Sequence, residues 1–309
     1  MNDERGERPA QTDQGALLIG GALSWAVGVL RAAGVEEAER EAGWLLAERL
    51  GCSVGTLRAR RESSLDPVDW TVFEGWVQRR ASREPIQYIL GTQEFLGLEF
   101  RVTPAVLIPR LDTELLVEVA VAHLRATAGE LPDGYGGAVE DLRVADIGTG
   151  SGAIAIGVAH LVETAQVVAV DLSPAALAVA RANAERLEVA DRVEFRQGDL
   201  LAPLSGERFA AILSNPPYIP ANEMTGLDPE VREFEPHLAL TPGGDGLEFY
   251  RRLAAGAPGL LRPRGLLAVE VGIGQPEAVS ALFTAAGLAV SVHVDTGGIQ
   301  RVVAGVRLA

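Results

Sequence analysis

Asn215-Pro216-Pro217-Tyr218 could hold a planar NH2 group in place for chemistry, and the segment directly follows the apolar run 209–214. These residues would therefore lie at the exposed end of a strand. Proline fixes φ at about −65° and lacks an N–H, so consecutive prolines keep the backbone rigid and free of competing donors. The Asn215 side-chain oxygen and a carbonyl of Asn215 or Pro216 can accept the two NH2 hydrogens, while the Tyr218 ring can stack on the group. The pattern predicts methyl transfer to a nitrogen, and the alternative is a proline-rich turn after a strand.

A strand, a glycine loop and a helix start lie upstream, over residues 143–159. Gly148, Gly150 and Gly152 permit positive φ and let a bulky ligand approach the backbone, as in nucleotide-binding βαβ units. A second apolar run, 167–171, ends at Asp171. This acid lies about 20 residues beyond the loop, the spacing at which a carboxylate accepts hydrogen bonds from ribose hydroxyls. The segment predicts a cofactor that contains a nucleoside.

The acids around the loop favour S-adenosylmethionine over NAD. Asp146 stands two residues before the first glycine, and its charge suits an ammonium group better than a pyrophosphate. Asp199 follows the third strand and could accept hydrogen bonds from the adenine amino group, with Leu200 packed on the adenine face. The predicted cofactor-binding residues are Asp146, Gly148, Thr149, Gly150, Ser151, Gly152, Asp171, Asp199, Leu200 and Asn215.

These motifs resemble those of class I methyltransferases, specifically the protein-(glutamine-N5) methyltransferases that modify peptide chain release factors. In that family the segment 109–114 usually reads Pro-Arg-Pro-Asp-Thr-Glu, and here Leu111 replaces the second proline. A related family that methylates a glutamine of a large-subunit ribosomal protein also carries Asn-Pro-Pro-Tyr but lacks the Asp-Thr-Glu triplet. Asp112-Thr-Glu114 therefore favours release factors. Beyond 215–218, the likeness covers the segments 84–91, 94–95, 106–114, 235–236, 239–240, 243–247, 250–251 and 295–301.

The resemblance implies direct methyl transfer to the side-chain nitrogen (N5) of the glutamine in the Gly-Gly-Gln motif of release factors. Asn215 and the Pro216 carbonyl would hold the amide with its lone pair directed at the methyl carbon, and Tyr218 would stack on the amide or wall it in. Asn215, Pro216 and Tyr218 are thus the predicted catalytic residues, and Pro217 joins them in binding the substrate. The sequence provides no evident strong general base.

Four segments are predicted along the chain. Residues 1–14 are polar and acidic and are predicted to be disordered. Residues 15–83 have a helical pattern, with Trp25, Trp44, Trp70 and Trp76 placed to share a small core, and the resemblance implies that this domain recognises the protein substrate. Residues 84–108 are predicted to be an extended linker with a hairpin, and 109–309 form the methyltransferase domain.

The methyltransferase domain alternates strands and helices, which predicts an α/β, Rossmann-like fold. Strands are expected near 143–147, 167–171, 192–196, 209–214 and 266–271, and the runs 288–294 and 300–306 are expected to form a hairpin. The resembled fold has seven strands, of which one is antiparallel. Ligands of such sheets bind where the first and fourth strands lie side by side, so Asp146, the glycine loop and Asn215 should meet there.

Composition limits the partners. The net charge of −15, with 27 basic residues, argues against tight duplex nucleic-acid binding. Cys52 is the single cysteine, and the four histidines lack ligand spacing, so neither a disulfide framework nor a metal site is expected and the cytoplasm is the default compartment. The apolar run 16–30 is shorter than the ~20 residues of a membrane span.

Two rival functions remain, of which the second belongs to a different class. An adenine-N6 nucleic-acid methyltransferase would use Asn-Pro-Pro-Tyr to hold the exocyclic amine of a flipped base, although the chain lacks basic tracts. A noncatalytic adaptor would bind S-adenosylmethionine and a partner without transferring a methyl group. The intact glycines, the acids Asp146 and Asp171 and the complete Asn-Pro-Pro-Tyr segment argue against the adaptor.

Overall fold

A computed structural model describes residues 17–128 and 142–308. Within these residues the contacts divide the chain into two compact units. The first contains residues 17–91 and also Pro229–Phe234, and the second contains the rest. The predicted disorder of residues 1–14 concerns a segment outside the described residues. The domain boundaries predicted at 83 and 108 stay predictions.

The first unit is helical. Its core is formed by the apolar faces of helices α1, α2 and α4, with Phe73 and Leu45 fully buried. Helix α4 begins at a capped turn, because Asp66 accepts a hydrogen bond from the Val68 N–H at 2.7 Å and Pro67 occupies the first turn. The helices are α1 (Ile19–Ala32), α2 (Ala38–Arg49), α3 (Val54–Ala59), α4 (Pro67–Ala81), α5 (Ile86–Leu90) and α9 (Pro229–Phe234).

Three of the four tryptophans contribute to this core. Trp25 and Trp70 pack edge to face with ring centroids 4.8 Å apart, and Trp76 packs on the same cluster. The prediction is wrong for Trp44, which is 41% exposed and lies beneath the Arg40 guanidinium at 4.7 Å. Trp44 lies on α2 at the border between the buried face and the exposed face of the helix. Its spacing in the sequence therefore did not distinguish it from the residues that face the core.

An ion-pair network joins α9 to the rest of this unit. The buried Arg80 guanidinium bonds Glu41 at 2.5 Å and Glu230 at 2.8 Å, and Arg83 bonds the other Glu230 oxygen at 2.7 Å. These pairs satisfy charges that would otherwise be costly to bury. Through Glu230, these ion pairs hold the short helix α9 against the other helices of the unit.

The predicted extended segment is wrong at its start. Residues Ile86–Leu90 form helix α5, which ends at Gly91 with φ of +82°. Only glycine adopts this left-handed conformation without strain, so Gly91 ends the helix. The chain then forms the antiparallel hairpin of β1 (Thr92–Phe95) and β2 (Leu98–Arg101), which belongs to the second unit.

Seven strands within residues 142–308 form one sheet, in the order β5-β4-β3-β6-β7-β9-β8. Over the same residues β9 is the one strand antiparallel to its neighbours, which confirms the predicted α/β class and the terminal hairpin. The strands are β3 (Leu142–Ile147), β4 (Ala165–Asp171), β5 (Val193–Gln197), β6 (Phe209–Ser214), β7 (Leu261–Glu270), β8 (Leu288–Val294) and β9 (Gln300–Arg307).

Helices cover both faces of this sheet. Successive residues of β4, such as Val167 and Val168, belong to opposite apolar clusters, because side chains alternate along a strand. Helix α8 begins at an N-cap, where Ser173 accepts a hydrogen bond from the Ala176 N–H at 3.2 Å. The helices are α6 (Asp112–Ala128), α7 (Ala153–Leu161), α8 (Pro174–Arg186), α10 (His237–Leu240), α11 (Glu248–Gly256) and α12 (Pro276–Ala285). None of the helices described is long and apolar enough to cross a bilayer.

Candidate active site

Two polar strand ends meet at the centre of the larger sheet. Strands β3 and β6 pair in parallel, with Ile147 opposite Ser214, and the Ser214 hydroxyl donates to the Ile147 carbonyl at 2.7 Å. This bond holds the carboxyl ends of the two strands together. Asp146 and Asn215 therefore emerge from adjacent strands, as the strand-order argument predicts.

A cavity of about 230 Å³ opens at this edge of the sheet, within the second unit. Its walls come from the glycine loop, the ends of β4 and β5, the segment after β6 and the segment before α6. Of the predicted site residues, those that line it are Gly148, Thr149, Gly150, Ser151, Asp171, Asp199, Leu200, Asn215 and Pro217. Asp146, Gly152, Pro216 and Tyr218 lie outside this lining, so the structure brings together the predicted cofactor residues more completely than the predicted catalytic ones.

Asp146 is fully buried beneath the glycine loop. Its Oδ2 accepts hydrogen bonds from the Thr149 hydroxyl at 2.6 Å and the Ala155 N–H at 3.1 Å. Its Oδ1 is buried, and no hydrogen-bond donor among the described residues reaches it. Burial raises the pKa of Asp146 to about 7, against the hydrogen bonds that lower it. A buried carboxylate oxygen without a donor fits a cationic group such as an ammonium.

The glycine loop is held from both sides. The Gly148 N–H donates to the Val170 carbonyl at 2.8 Å, and the Gly150 N–H donates to Asp171 Oδ2 at 2.9 Å. The Asp171 Oδ1 accepts from the Ser173 N–H at 2.8 Å. Asp171 thus fixes the loop, a role that the sequence did not suggest. Each carboxylate oxygen keeps lone-pair capacity for a further donor such as a ribose hydroxyl.

Gly152 has a structural role in the same loop. Its φ is +86°, and a Cβ there would lie 2.9 Å from Ile156 Cδ1 and 3.2 Å from Ala180 Cβ. The residue lets α7 begin close against α8. Gly148 and Gly150 also have positive φ, but a Cβ at Gly148 would meet no atom within 4 Å, so their side of the loop faces open space.

The opposite wall carries Asp199 and Leu200. The Asp199 side chain is 55% exposed and bonds Arg252 at 2.6 Å. Leu200 adopts a φ of +50°, which is uncommon for a branched side chain, and its side chain lines the cavity. An apolar surface beside an exposed acid suits a flat ring that carries an amino group.

The Asn215 side chain belongs to a hydrogen-bonded chain. Its Nδ2 donates to Thr113 Oγ1 at 3.1 Å, and the Thr113 hydroxyl donates to Glu270 Oε2 at 2.5 Å. The Asn215 Oδ1 is buried and has no partner in the described part of the protein. Asn215 lines the cavity, and among the described residues nothing donates a hydrogen bond to this amide oxygen.

Tyr218 is held beside the same chain. Its hydroxyl lies 3.5 Å from Glu270 Oε1, and its carbonyl accepts a hydrogen bond from Gln275 Nε2 at 2.8 Å. Burial raises the pKa of Tyr218 above its ordinary value, and the neighbouring Glu270 adds to the shift. The hydroxyl therefore stays protonated at neutral pH, which argues against its use as a base.

Sequence reasoning missed several residues of this site. Thr113 was noted only for the family likeness, and Glu270 ends the apolar run 266–270. An acid at the end of an apolar strand is the signal that identified Asp146 and Asp171, and it could have identified Glu270. Arg110 also lines the cavity and pairs with the buried Glu235, which accepts from the Ile108 N–H at 3.3 Å. Their 125-residue separation hides this contact from any local pattern.

Comparisons with known proteins agree with this architecture. Residues 21–91 match the family described as the PrmC N-terminal domain, and residues 136–228 match the methyltransferase small domain. A release factor glutamine methyltransferase from Geobacter sulfurreducens is 46% identical over 284 residues, which is 92% of this chain and 94% of the relative. One from Moorella thermoacetica is 48% identical over 266 residues, 86% and 89% of the two chains.

A solved structure is similar in fold. The hMettl16 catalytic domain, in complex with the MAT2A 3'UTR hairpin 6, aligns with a TM-score of 0.52. It is 14% identical, and the alignment covers 79% of this chain and 85% of that chain. At this identity the similarity shows a common methyltransferase fold alone.

Proposed function

Because this chain belongs to the release factor glutamine methyltransferases, we propose that it methylates the glutamine of the Gly-Gly-Gln motif in peptide chain release factors. The methyl donor is S-adenosylmethionine, and the acceptor is the side-chain amide nitrogen. The observation that carries the proposal is a pair of buried, unpartnered oxygens among the described residues, Asp146 Oδ1 and Asn215 Oδ1, at the ends of adjacent strands. The first suits a cation, and the second suits an amide N–H.

The cofactor residues have distinct roles in this proposal. Asp146 would hold the ammonium group of the methionine part. The carboxylate oxygens of Asp171, which already accept hydrogen bonds from Gly150 and Ser173, would also accept from the ribose hydroxyls. Asp199 would accept from the adenine amino group while Leu200 packs on the ring. Gly148 and Gly150 would let the ligand approach the backbone. A Cβ built at Gly148 would meet no protein atom within 4 Å, so there is open space beside this residue. Thr149 supports the site by donating to Asp146 at 2.6 Å.

When bound, S-adenosylmethionine supplies an electrophilic methyl group on a positively charged sulfur. An amide nitrogen is a poor nucleophile, because its lone pair is delocalised into the carbonyl. Asn215 Oδ1 and the Pro216 carbonyl would accept the two amide hydrogens and so orient the lone pair, and Pro217 would wall the site. Positioning of this kind can supply several kcal/mol, roughly 7–11 at the limit.

Proton removal needs no strong base in this scheme. The protonated product amide is a strong acid and loses its proton to water after transfer. The pKa of Tyr218 is raised by burial, so its ring would serve as a stacking surface and its hydroxyl would remain neutral. The proposal includes no nucleic-acid partner and no membrane. It places the reaction in the cytoplasm, where release factors act in translation termination.

The test is label transfer from S-adenosylmethionine that carries a radioactive methyl group. Purified release factor should gain label, and a release factor whose motif glutamine is replaced by asparagine should gain none. A large-subunit ribosomal protein and adenine-containing DNA are run in parallel. Label in either of these, with none in release factor, would overturn the substrate assignment. Cofactor binding with no label in any of them would indicate the adaptor.

A further inference from the structure

Three side chains from separate elements form one hydrogen-bonded chain at the acceptor end of the site. Asn215 follows β6, Thr113 lies in the first turn of α6, and Glu270 ends β7. Asn215 Nδ2 lies 3.1 Å from Thr113 Oγ1, and Thr113 Oγ1 lies 2.5 Å from Glu270 Oε2. Thr113 is 4% exposed and Glu270 is 2% exposed, so water does not compete for these bonds.

The chemistry of these groups gives the chain a direction. An ionised carboxylate only accepts hydrogen bonds, so the Thr113 hydroxyl must donate its single proton to Glu270. The Thr113 oxygen can then only accept, and its partner on Asn215 must be the NH2 group. The amide oxygen is thereby turned away from Thr113. This agrees with Asn215 Oδ1 being buried without a partner among the residues described.

We propose that Thr113 and Glu270 are positioning residues that fix the Asn215 amide with its oxygen presented to the substrate amide. The inference rests on the proposed function for its substrate but concerns the orientation of one side chain. Without the pair, the Asn215 amide could rotate by half a turn and present NH2 to the NH2 of the acceptor. Two donors would then face each other, and the acceptor nitrogen would be repelled.

Charged and titratable groups on four neighbouring segments lie near Glu270. Asp112 on α6 disfavours its charge, whereas Arg301 on β9 favours it and is itself bonded to Asp112 at 3.0 Å. The Tyr218 hydroxyl approaches the second oxygen, and the Tyr250 hydroxyl of α11 donates to the Glu270 backbone carbonyl at 2.9 Å. Burial is the largest influence and raises the pKa of Glu270 to about 7.

Because Glu270 can titrate in this environment, the hydrogen-bonded chain of Asn215, Thr113 and Glu270 should change with pH. A protonated Glu270 can donate to the Thr113 oxygen, and the Thr113 proton is then free to point at Asn215. The amide would turn its oxygen towards Thr113, which withdraws the acceptor that the substrate needs. The turnover number at saturating cofactor should therefore fall as the pH drops through the pKa of Glu270.

The first experiment compares Thr113→Val with Thr113→Ser. Valine keeps the shape of threonine and removes the hydroxyl, whereas serine keeps the hydroxyl and removes the methyl group. We expect Thr113→Val to lower kcat by about tenfold or more, the equivalent of one buried hydrogen bond. Thr113→Ser should retain most of kcat, and both variants should bind S-adenosylmethionine as the wild type does. Equal kcat in the two variants would overturn the inference.

The second experiment uses Glu270→Gln and the pH profile of kcat. Glutamine has no charge to titrate, so the acidic limb near pH 7 expected of the wild type should disappear in this variant. A merely structural role would lower activity at every pH and leave the limb in place. An unchanged limb in Glu270→Gln would therefore contradict the proposal.

A third readout separates this inference from the proposed function. The side-chain NH2 resonances of Asn215, assigned with Asn215→Ala, can be followed by NMR in the cofactor-bound protein without any substrate. We expect them to shift on titration near pH 7 and to change in Thr113→Val but not in Thr113→Ser. If wild-type protein labels no release factor, the substrate proposal fails while this result still decides the orientation. If the Asn215 resonances change neither with pH nor in Thr113→Val, this result alone overturns the inference.

Discussion

At the scale of single residues, the site depends on two buried oxygens with different tasks. Asp146 Oδ1 and Asn215 Oδ1 are both buried, and within the described residues neither has a donor. Leaving such a group without a hydrogen bond costs stability, about 1–3 kcal/mol each. A bound cofactor and a bound substrate would each remove one of these costs. Both oxygens were identified from sequence, because each belongs to a polar residue at or just beyond the end of an apolar strand.

Asn215→Ala should separate binding from transfer. The variant loses the amide oxygen that orients the acceptor but leaves the glycine loop and its hydrogen bonds untouched. We expect kcat to fall by about 10² or more with the dissociation constant of S-adenosylmethionine changed little. Single-turnover kinetics and calorimetry measure the two quantities, and full activity in this variant would refute the assigned role.

Asp146→Asn should weaken cofactor binding. The substitution preserves shape but removes the charge that would attract the ammonium group, an interaction of about 1.5–3 kcal/mol. Calorimetry should show the dissociation constant of S-adenosylmethionine raised roughly tenfold to a hundredfold. Asp199→Asn is the comparison, because this acid is half exposed and already pairs with Arg252. A larger effect at Asp199 than at Asp146 would contradict the assignment.

At the scale of elements, the segment 215–218 is held by glycines and loops that are distant in sequence. A Cβ at Gly246 would lie 2.3 Å from the Tyr218 carbonyl oxygen and 2.9 Å from Gln275 Nε2. The glycine-rich stretch 243–247 was noted in the sequence for its family likeness only. The physical reason for a glycine at position 246 is its close approach to Tyr218. No local sequence pattern reveals a partner about 28 residues away.

Gly246→Ala and Gly243→Ala form a matched pair. Both glycines have positive φ, +78° and +80°, so alanine strains the backbone equally at the two positions. At Gly243 a Cβ would meet no atom within 4 Å, whereas at Gly246 it would displace Tyr218. We expect methyl transfer to fall severalfold further in Gly246→Ala than in Gly243→Ala, with cofactor affinity similar in both. Equal transfer rates would show that this contact does not position Tyr218.

At the scale of the whole molecule, the class of sheet was predictable from the sequence and several tertiary partners were not. Alternating apolar runs and helical stretches predicted the class of sheet and the terminal hairpin, because these features are local. Helix α5 was missed, since five residues give too little periodicity to separate a helix from a strand. The pairs Arg80–Glu230 and Arg110–Glu235 join residues 150 and 125 positions apart, and only the folded chain brings them together.

Two buried acids should make stability depend on pH. Burial raises the pKa of both Asp146 and Glu270 to about 7, well above their values in an unfolded chain. The folded protein therefore binds more protons between about pH 4 and 7, and the contribution of these groups to stability is lost as the pH rises through that window. Asp146→Asn should gain stability relative to the wild type between pH 5 and 8, by on the order of 2 kcal/mol.

Urea unfolding of both proteins at each pH measures this difference. Glu270→Gln should likewise gain stability relative to the wild type as the pH rises. S-adenosylmethionine should stabilise the wild type more at pH 8 than at pH 5, because the ionised Asp146 binds the cation. A stability difference between Asp146→Asn and the wild type that is constant across this range would show that Asp146 does not titrate there.

Mass spectrometry of release factor, after incubation with this protein and S-adenosylmethionine, tests the proposed reaction most directly. The peptide that carries the Gly-Gly-Gln motif is isolated and fragmented, with the Asn215→Ala variant as the parallel reaction. We predict one added methyl group, located on the side chain of the motif glutamine, and none from the variant. A methyl group on another residue, or an unmodified peptide despite confirmed cofactor binding, would contradict it.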